Sequence, residues 1–174
     1  MPGICVLLVD DSLLFREMMA QELLRYLPEG SRVEKAADPF EARDKILDCA
    51  PDVMLLDIEM PKMDGIEFLK RLLMQYKQPT IMISGTAAYR DMAIAAGAAD
   101  FIVKPDGHIL RAGSQFFSRL AARLCAVAIH AGPKRAPIAN GRSLRKKLIA
   151  IGASTGGTEA LAAVLKALQP PLPG

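Results

Sequence analysis

Five positions in this 174-residue chain place a chemically capable side chain at the end of a short apolar run. Asp10 and Asp11 follow residues 4–9, Asp57 follows 53–56, Ser84 follows 80–83, and Lys104, with Pro105 behind it, follows 100–103. If the first and third runs are neighbouring strands, three carboxylates converge, each pair repelling by roughly 4 kcal/mol at 4 Å and an effective dielectric of 20. A bound cation makes that arrangement reasonable. Oxygen-only ligands favour Mg²⁺, which keeps several waters and accepts phosphate oxygens. Asp57, already ionised, is a competent nucleophile toward phosphorus without a general base. Lys104 and the Ser84 hydroxyl would hold the phosphoryl oxygens, and the acyl phosphate would add about −1.5 to −2 charge at that edge. Singly, each residue has a plainer reading: Asp10, Asp11 and Ser12 as helix caps, Asp57 as a solvated strand end, Ser84 and Lys104-Pro105 as turn formers. Their joint placement at successive strand ends outweighs those readings.

The elements that must hold these side chains follow from periodicity. Residues 4–9, 53–56 and 80–83 have strand character, and 32–35 and 100–103 have it more weakly. Between them, residues 12–27 put positions 15, 19 and 23 on one helical face and Glu17, Gln21 and Arg25 on another. Asp38-Pro39 followed by Glu41 supplies a cap, a proline at the first helical position and a reciprocal acid. Further helices are expected over 64–74, 88–96 and 108–128, the last with Phe117, Leu120, Leu124 and Val127 on one face. Five βα units in succession imply a doubly wound α/β fold. Its five-stranded parallel sheet is covered on both faces, and ligands lie beyond the carboxyl ends of the strands.

Charge divides the chain. Up to Asp106 there are 12 basic and 18 acidic residues, near −6; beyond it there are 10 basic and 1 acidic, near +9. Residues 129–147 hold Gly132, Pro133, Pro137, Asn140 and Gly141, with no acid and no hydrophobic periodicity, which is a linker composition. A further strand over 148–151, a glycine-rich turn and an Ala/Leu helix from about 158 to 168 form one βα unit of an incomplete second α/β domain. The expected divisions are therefore 1–128, 129–147 and 148–174. Cys5, Cys49 and Cys125 lie in apolar runs without metal-ligand spacing, as reduced thiols of a cytoplasmic protein would. The apolar run 4–9 has no basic residue before it and ends in two acids, so neither a signal peptide nor a membrane span fits.

The segments V-L-L-V-D-D-S, L-L-D-I-E-M-P-K-M-D-G and A-D-F-I-V-K-P resemble the receiver domain of two-component response regulators, a flavodoxin-like fold, over roughly residues 3–125. The resemblance implies Asp57 as phosphoacceptor, Asp10 and Asp11 as metal-site acids, and the backbone carbonyl of Glu59 as a further Mg²⁺ ligand. It also implies Ser84 as switch hydroxyl, Phe101 as rotating aromatic, Lys104 as phosphate-sensing lysine, and a sensor histidine kinase as phosphodonor.

Gly152-Ala-Ser154-Thr-Gly156-Gly157 follows a strand and opens a helix, matching the G-x-S-x-G turn that projects a nucleophilic serine. On its own the turn is as well explained by a helix cap. With a receiver and a basic linker before it, L-I-A-I-G-A-S-T-G-G-T-E-A-L resembles the chemotaxis protein-glutamate methylesterases, the CheB family. That resemblance implies Ser154 as nucleophile toward glutamyl methyl esters of chemotaxis receptors, with a histidine and an aspartate as triad partners. Neither partner is matched within these residues, so this polypeptide alone is expected to lack esterase activity. The alternative is a non-enzymatic phospho-switch whose basic extension binds a protein or, less favourably, nucleic acid. No aromatic residue follows Phe117 to stack on bases.

Overall fold

The computed structural model describes residues 1–61, 63–105 and 113–130. The chain divides into two units, Met1–Ile138 and Ala139–Gly174, and every described residue lies in the first. Ser154, the βα unit at 148–174 and all but the first two residues of the expected linker lie outside the described residues.

Five strands, β1 (Cys5–Val9), β2 (Arg32–Ala36), β3 (Val53–Asp57), β4 (Thr80–Ser84) and β5 (Asp100–Val103), alternate with helices α1 (Leu13–Leu24), α2 (Pro39–Cys49), α3 (Gly65–Leu73), α4 (Arg90–Ala95) and α5 (Gly113–His130). All pairings are parallel, in the order β2-β1-β3-β4-β5. The chain winds outward from β1 to β2, then returns past β1 to lay down β3. This reversal leaves a crevice beyond the carboxyl ends of β1 and β3.

The pleat divides the core. Val6 and Leu8 face α1 and α5, where Met19, Leu23, Phe117, Leu120 and Leu124 pack. Leu7 and Val9 face the opposite layer, with Ala42 and Ile46 of α2, Leu69 of α3 and Ala93 of α4. β1, β3 and β4 are buried along their whole length, which is why they read as continuous apolar runs. β2, at the sheet edge, carries Arg32, Glu34 and Lys35 and is the least buried.

Helix starts follow the side-chain chemistry. Ser12 accepts from the Phe15 N–H, Asp38 from those of Phe40 and Glu41, and Asp64 from that of Ile66. Glu41 reaches back to the Ala37 N–H at 2.7 Å. Several expected bounds need correction. The helix expected over 12–27 ends at Leu24, and the one expected over 88–96 opens as a 3₁₀ turn, Ala87–Tyr89, capped by Thr86. The last helix continues to His130, two residues into the expected linker, because Val127 and Ala128 still pack on the core.

Candidate functional site

Three strand ends deliver the charged groups to the crevice. Asp10 leaves β1, its backbone N–H bonded to the Ala36 carbonyl at 3.2 Å. Asp57 is the last residue of β3, and the Ile58 N–H after it is held by the Ile83 carbonyl at 3.1 Å. Lys104 follows β5 and is tied to β4 through its N–H and the Ser84 carbonyl, 2.7 Å apart. Asp10 and Asp57 are almost wholly buried, at 1% and 2% exposure, whereas Asp11 is exposed.

One ammonium joins the two buried acids. Lys104 Nζ lies 2.8 Å from Asp10 Oδ2 and 2.9 Å from Asp57 Oδ2. The other oxygens take backbone donors: the Ser12 N–H at 2.8 Å from Asp10 Oδ1, and the Ile58 N–H at 2.9 Å from Asp57 Oδ1. The Lys104 ammonium also stands 4.4 Å from the Phe15 ring centroid. Burial pushes the Asp57 carboxyl up to about 6; the Lys104 charge and hydrogen bond work against this rise, and the Asp10 charge adds to it. Burial also disfavours the Lys104 ammonium, but its bonds and charge pairing with Asp10 and Asp57 prevail and raise its pKa. Near neutral pH the site therefore holds an ionised Asp57 facing a charged lysine.

Asp10, Asp11 and Asp57 can bring oxygens within 4.8 Å of one another. This acidic pocket is an all-oxygen donor set suited to a hard divalent cation. Ser84 ends β4 and is fully buried; its Oγ accepts from the Thr86 N–H at 3.2 Å and donates to Glu59 Oε2 at 3.5 Å. Glu59 is exposed in the loop after β3. Phe101 lies fully buried in the α2/α3/α4 layer, with the Arg90 guanidinium 5.0 Å from its ring centroid. The structure thus gathers Asp10, Asp11, Asp57 and Lys104 into one cluster, pairs Ser84 with Glu59 beside it, and puts Phe101 beneath Arg90.

Two contributors escaped the sequence reading. Arg16 is buried and its guanidinium donates to the Asp10 carbonyl oxygen, bracing the turn that carries the two acids. Its position in the buried stripe with Met19, Ala20 and Leu23 was the available signal. Gly65 packs so closely on β3 that a Cβ there would overlap the Asp57 carbonyl oxygen. An aspartate, a loop and then a glycine opening the next helix marks that close approach.

A parallel sheet with this acid and lysine cluster at its carboxyl edge defines a receiver, and the chain belongs to the response regulator receiver domain family, whose model matches residues 6–112. Among solved structures it is similar to the response regulator domain of CheB from Thermotoga maritima, with 33% identity, a TM-score of 0.59, and coverage of 75% of this chain and 96% of that one. Vibrio cholerae chemotaxis protein CheY4 is similar at 30% identity and a TM-score of 0.58, over 71% and 99% of the two chains. Among curated proteins, the chain is 44% identical to protein-glutamate methylesterase/protein-glutamine glutaminase 2 of Syntrophomonas wolfei, over 97% of this chain and 51% of the relative. It is 40% identical to the Yersinia pestis protein-glutamate methylesterase/protein-glutamine glutaminase, over 99% and 52%. The chain spans about half the length of the curated relatives it matches. Among the described residues, no helix is long and apolar enough to cross a membrane.

Proposed function

We propose that Asp57 accepts a phosphoryl group, and that this modification governs a methylesterase output in chemotaxis signalling. The observation that carries the first part is the Lys104 ammonium held between the Asp10 and Asp57 carboxylates. The chain's own groups divide the work. An Asp57 carboxylate oxygen attacks phosphorus as the bond from phosphorus to the donor, a histidine-kinase phosphoimidazole, breaks. Lys104 moves from the carboxylate pair onto a phosphoryl oxygen, and Ser84 exchanges its Glu59 contact for another. The donor set fits Mg²⁺, since the clustered carboxylates outnumber the nearby cationic heads; Asp10, Asp11, Asp57 and the Glu59 carbonyl would hold it. When bound, the ion neutralises charge on the transferring group.

Similarity to the methylesterases extends past the receiver to nearly the whole chain, which supports an esterase output through Ser154 over binding by the basic extension. The substrates on this reading are glutamyl methyl esters of chemoreceptors, met in the cytoplasm. The first part is tested by incubating the protein with a small phosphodonor and Mg²⁺ and weighing it intact. A gain of one phosphoryl group, absent in Asp57→Ala, is expected; no gain in folded protein overturns the reading. Methanol release from methylated receptors, assayed with the complete catalytic region present and raised by phosphodonor, tests the second part.

A further inference from the structure

At the opposite edge of the sheet, β1 begins with a buried thiol. The pleat points Cys5 to the same side as Leu7 and Val9, the side covered by Ala42 and Ile46 of α2. Cys49 ends α2 one turn beyond Ile46 and so returns to that side. The two cysteines therefore face the same layer, the Cys49 thiol donating to the Lys45 carbonyl of its own helix at 2.9 Å. Arg32 is the β2 residue in register with Cys5. Its Nε donates to Cys5 Sγ at 3.2 Å and its Nη2 to the Cys49 carbonyl at 3.3 Å, so a single guanidinium spans the pair. Cys5 and Cys49 are both free thiols; Cys5 is buried, while Cys49 is half-buried and Arg32 exposed, which opens a route for a small oxidant.

We propose that Cys5 and Cys49 form a reversible modification site, a dithiol that a hydroperoxide oxidises to an intramolecular disulfide. The Arg32 guanidinium donates to the Cys5 sulfur, whereas the Cys49 thiol is turned to the Lys45 carbonyl, and this contact marks Cys5 as the attacking sulfur. Burial first, then the neighbouring Cys5 sulfur and Glu34, push the Cys49 thiol up to about 11, leaving it the resolving group. In the first step the Cys5 sulfur attacks one peroxide oxygen, the O–O bond breaks, and water leaves with the thiol proton, giving a sulfenic acid. In the second, Cys49 sulfur attacks Cys5 sulfur, the S–O bond breaks, and a second water leaves with the Cys49 proton. Two thiols lose two electrons in total, and the peroxide gains them. Cys125, a buried α5 residue in the core layer shared with α1, has no such partner among the described cysteines and serves as the internal comparison.

The test is hydrogen peroxide treatment of the folded chain in the presence of a chelator, followed by alkylation, intact mass and non-reducing peptide mapping. Loss of two hydrogens, a linked peptide joining Cys5 to Cys49, alkylation still at Cys125 and reversal by a dithiol reductant are expected. Cys49→Ser should stop at a Cys5 sulfenic acid that a carbon nucleophile traps. Arg32→Gln, an exposed edge change that preserves the fold, should slow the linkage roughly tenfold. Unlinked thiols after treatment, linkage to Cys125 or between chains, or an unchanged rate in Arg32→Gln would each overturn the proposal.

Discussion

Replacing Asp57 with asparagine should stabilise the receiver even as it abolishes phosphoryl transfer. Burial raises the Asp57 carboxyl from 3.8 to about 6, so ionising it costs more in the folded chain than in the unfolded one. The folded state binds the proton more tightly, so Asp57 favours folding below about pH 4, and that contribution is lost as pH rises to 6. A shift of about two units is worth up to about 3 kcal/mol at pH 8. Asparagine keeps an acceptor for the Ile58 N–H and Lys104 keeps Asp10; the amide Nδ2 then faces the Lys104 ammonium in place of Oδ2, which takes back part of the gain. Urea unfolding with a chelator present should therefore show Asp57→Asn more stable than the natural chain at pH 8. The gap should shrink to about half near pH 5 and below about 1 kcal/mol at pH 4. Adding Mg²⁺ should narrow it at pH 8, because the natural chain binds the ion more tightly. An asparagine variant less stable at pH 8, or a gap unchanged at pH 4, would refute the reasoning.

Without metal the Asp57 carboxyl titrates near 6, and Mg²⁺ on its ionised form should pull the midpoint of the phosphorylation rate against pH below that value, further as Mg²⁺ is raised; a midpoint independent of Mg²⁺ concentration would mean the ion does not touch Asp57. Lys104→Met should destabilise the chain by about 3 kcal/mol by leaving two buried acids without their shared cation, and should raise the Asp57 pKa further. Adding Asp57→Asn to that variant should recover part of the loss, which a double-mutant cycle measures. Gly65→Ala should cost about 2 kcal/mol or more, since the new methyl meets the Asp57 backbone rather than a side chain that can turn away. Thermal unfolding checks this.

The sheet and its reactive edge were legible because buried parallel strands write themselves as unbroken apolar runs, and the residue after each run lands on a known edge. β1, β3 and β4 extend this way to Asp10, Asp57 and Ser84. Side-chain burial inside helices was less legible. Arg16 reads as a solvated charge until the fold brings the Asp10 carbonyl to its guanidinium. The 3₁₀ opening at Ala87–Tyr89 depends on the Thr86 cap, which competes with regular helix over an alanine-rich stretch that suits either. The Ser84 to Glu59 contact joins two strand-end loops, and Arg32 bridges the Cys5 sulfur and the Cys49 carbonyl only once β1, β2 and α2 are assembled. Each of these contacts is set by tertiary packing, to which local periodicity is blind.

On the proposed reading Asp57 alone carries the phosphoryl group. Treating the phosphodonor-incubated chain with borohydride, which reduces an aspartyl phosphate to homoserine, and mapping its peptides tests this most directly. Homoserine is expected at position 57, dependent on Mg²⁺ and lost in Asp57→Asn; homoserine at Asp10 or Asp11 with Asp57 intact would contradict that role.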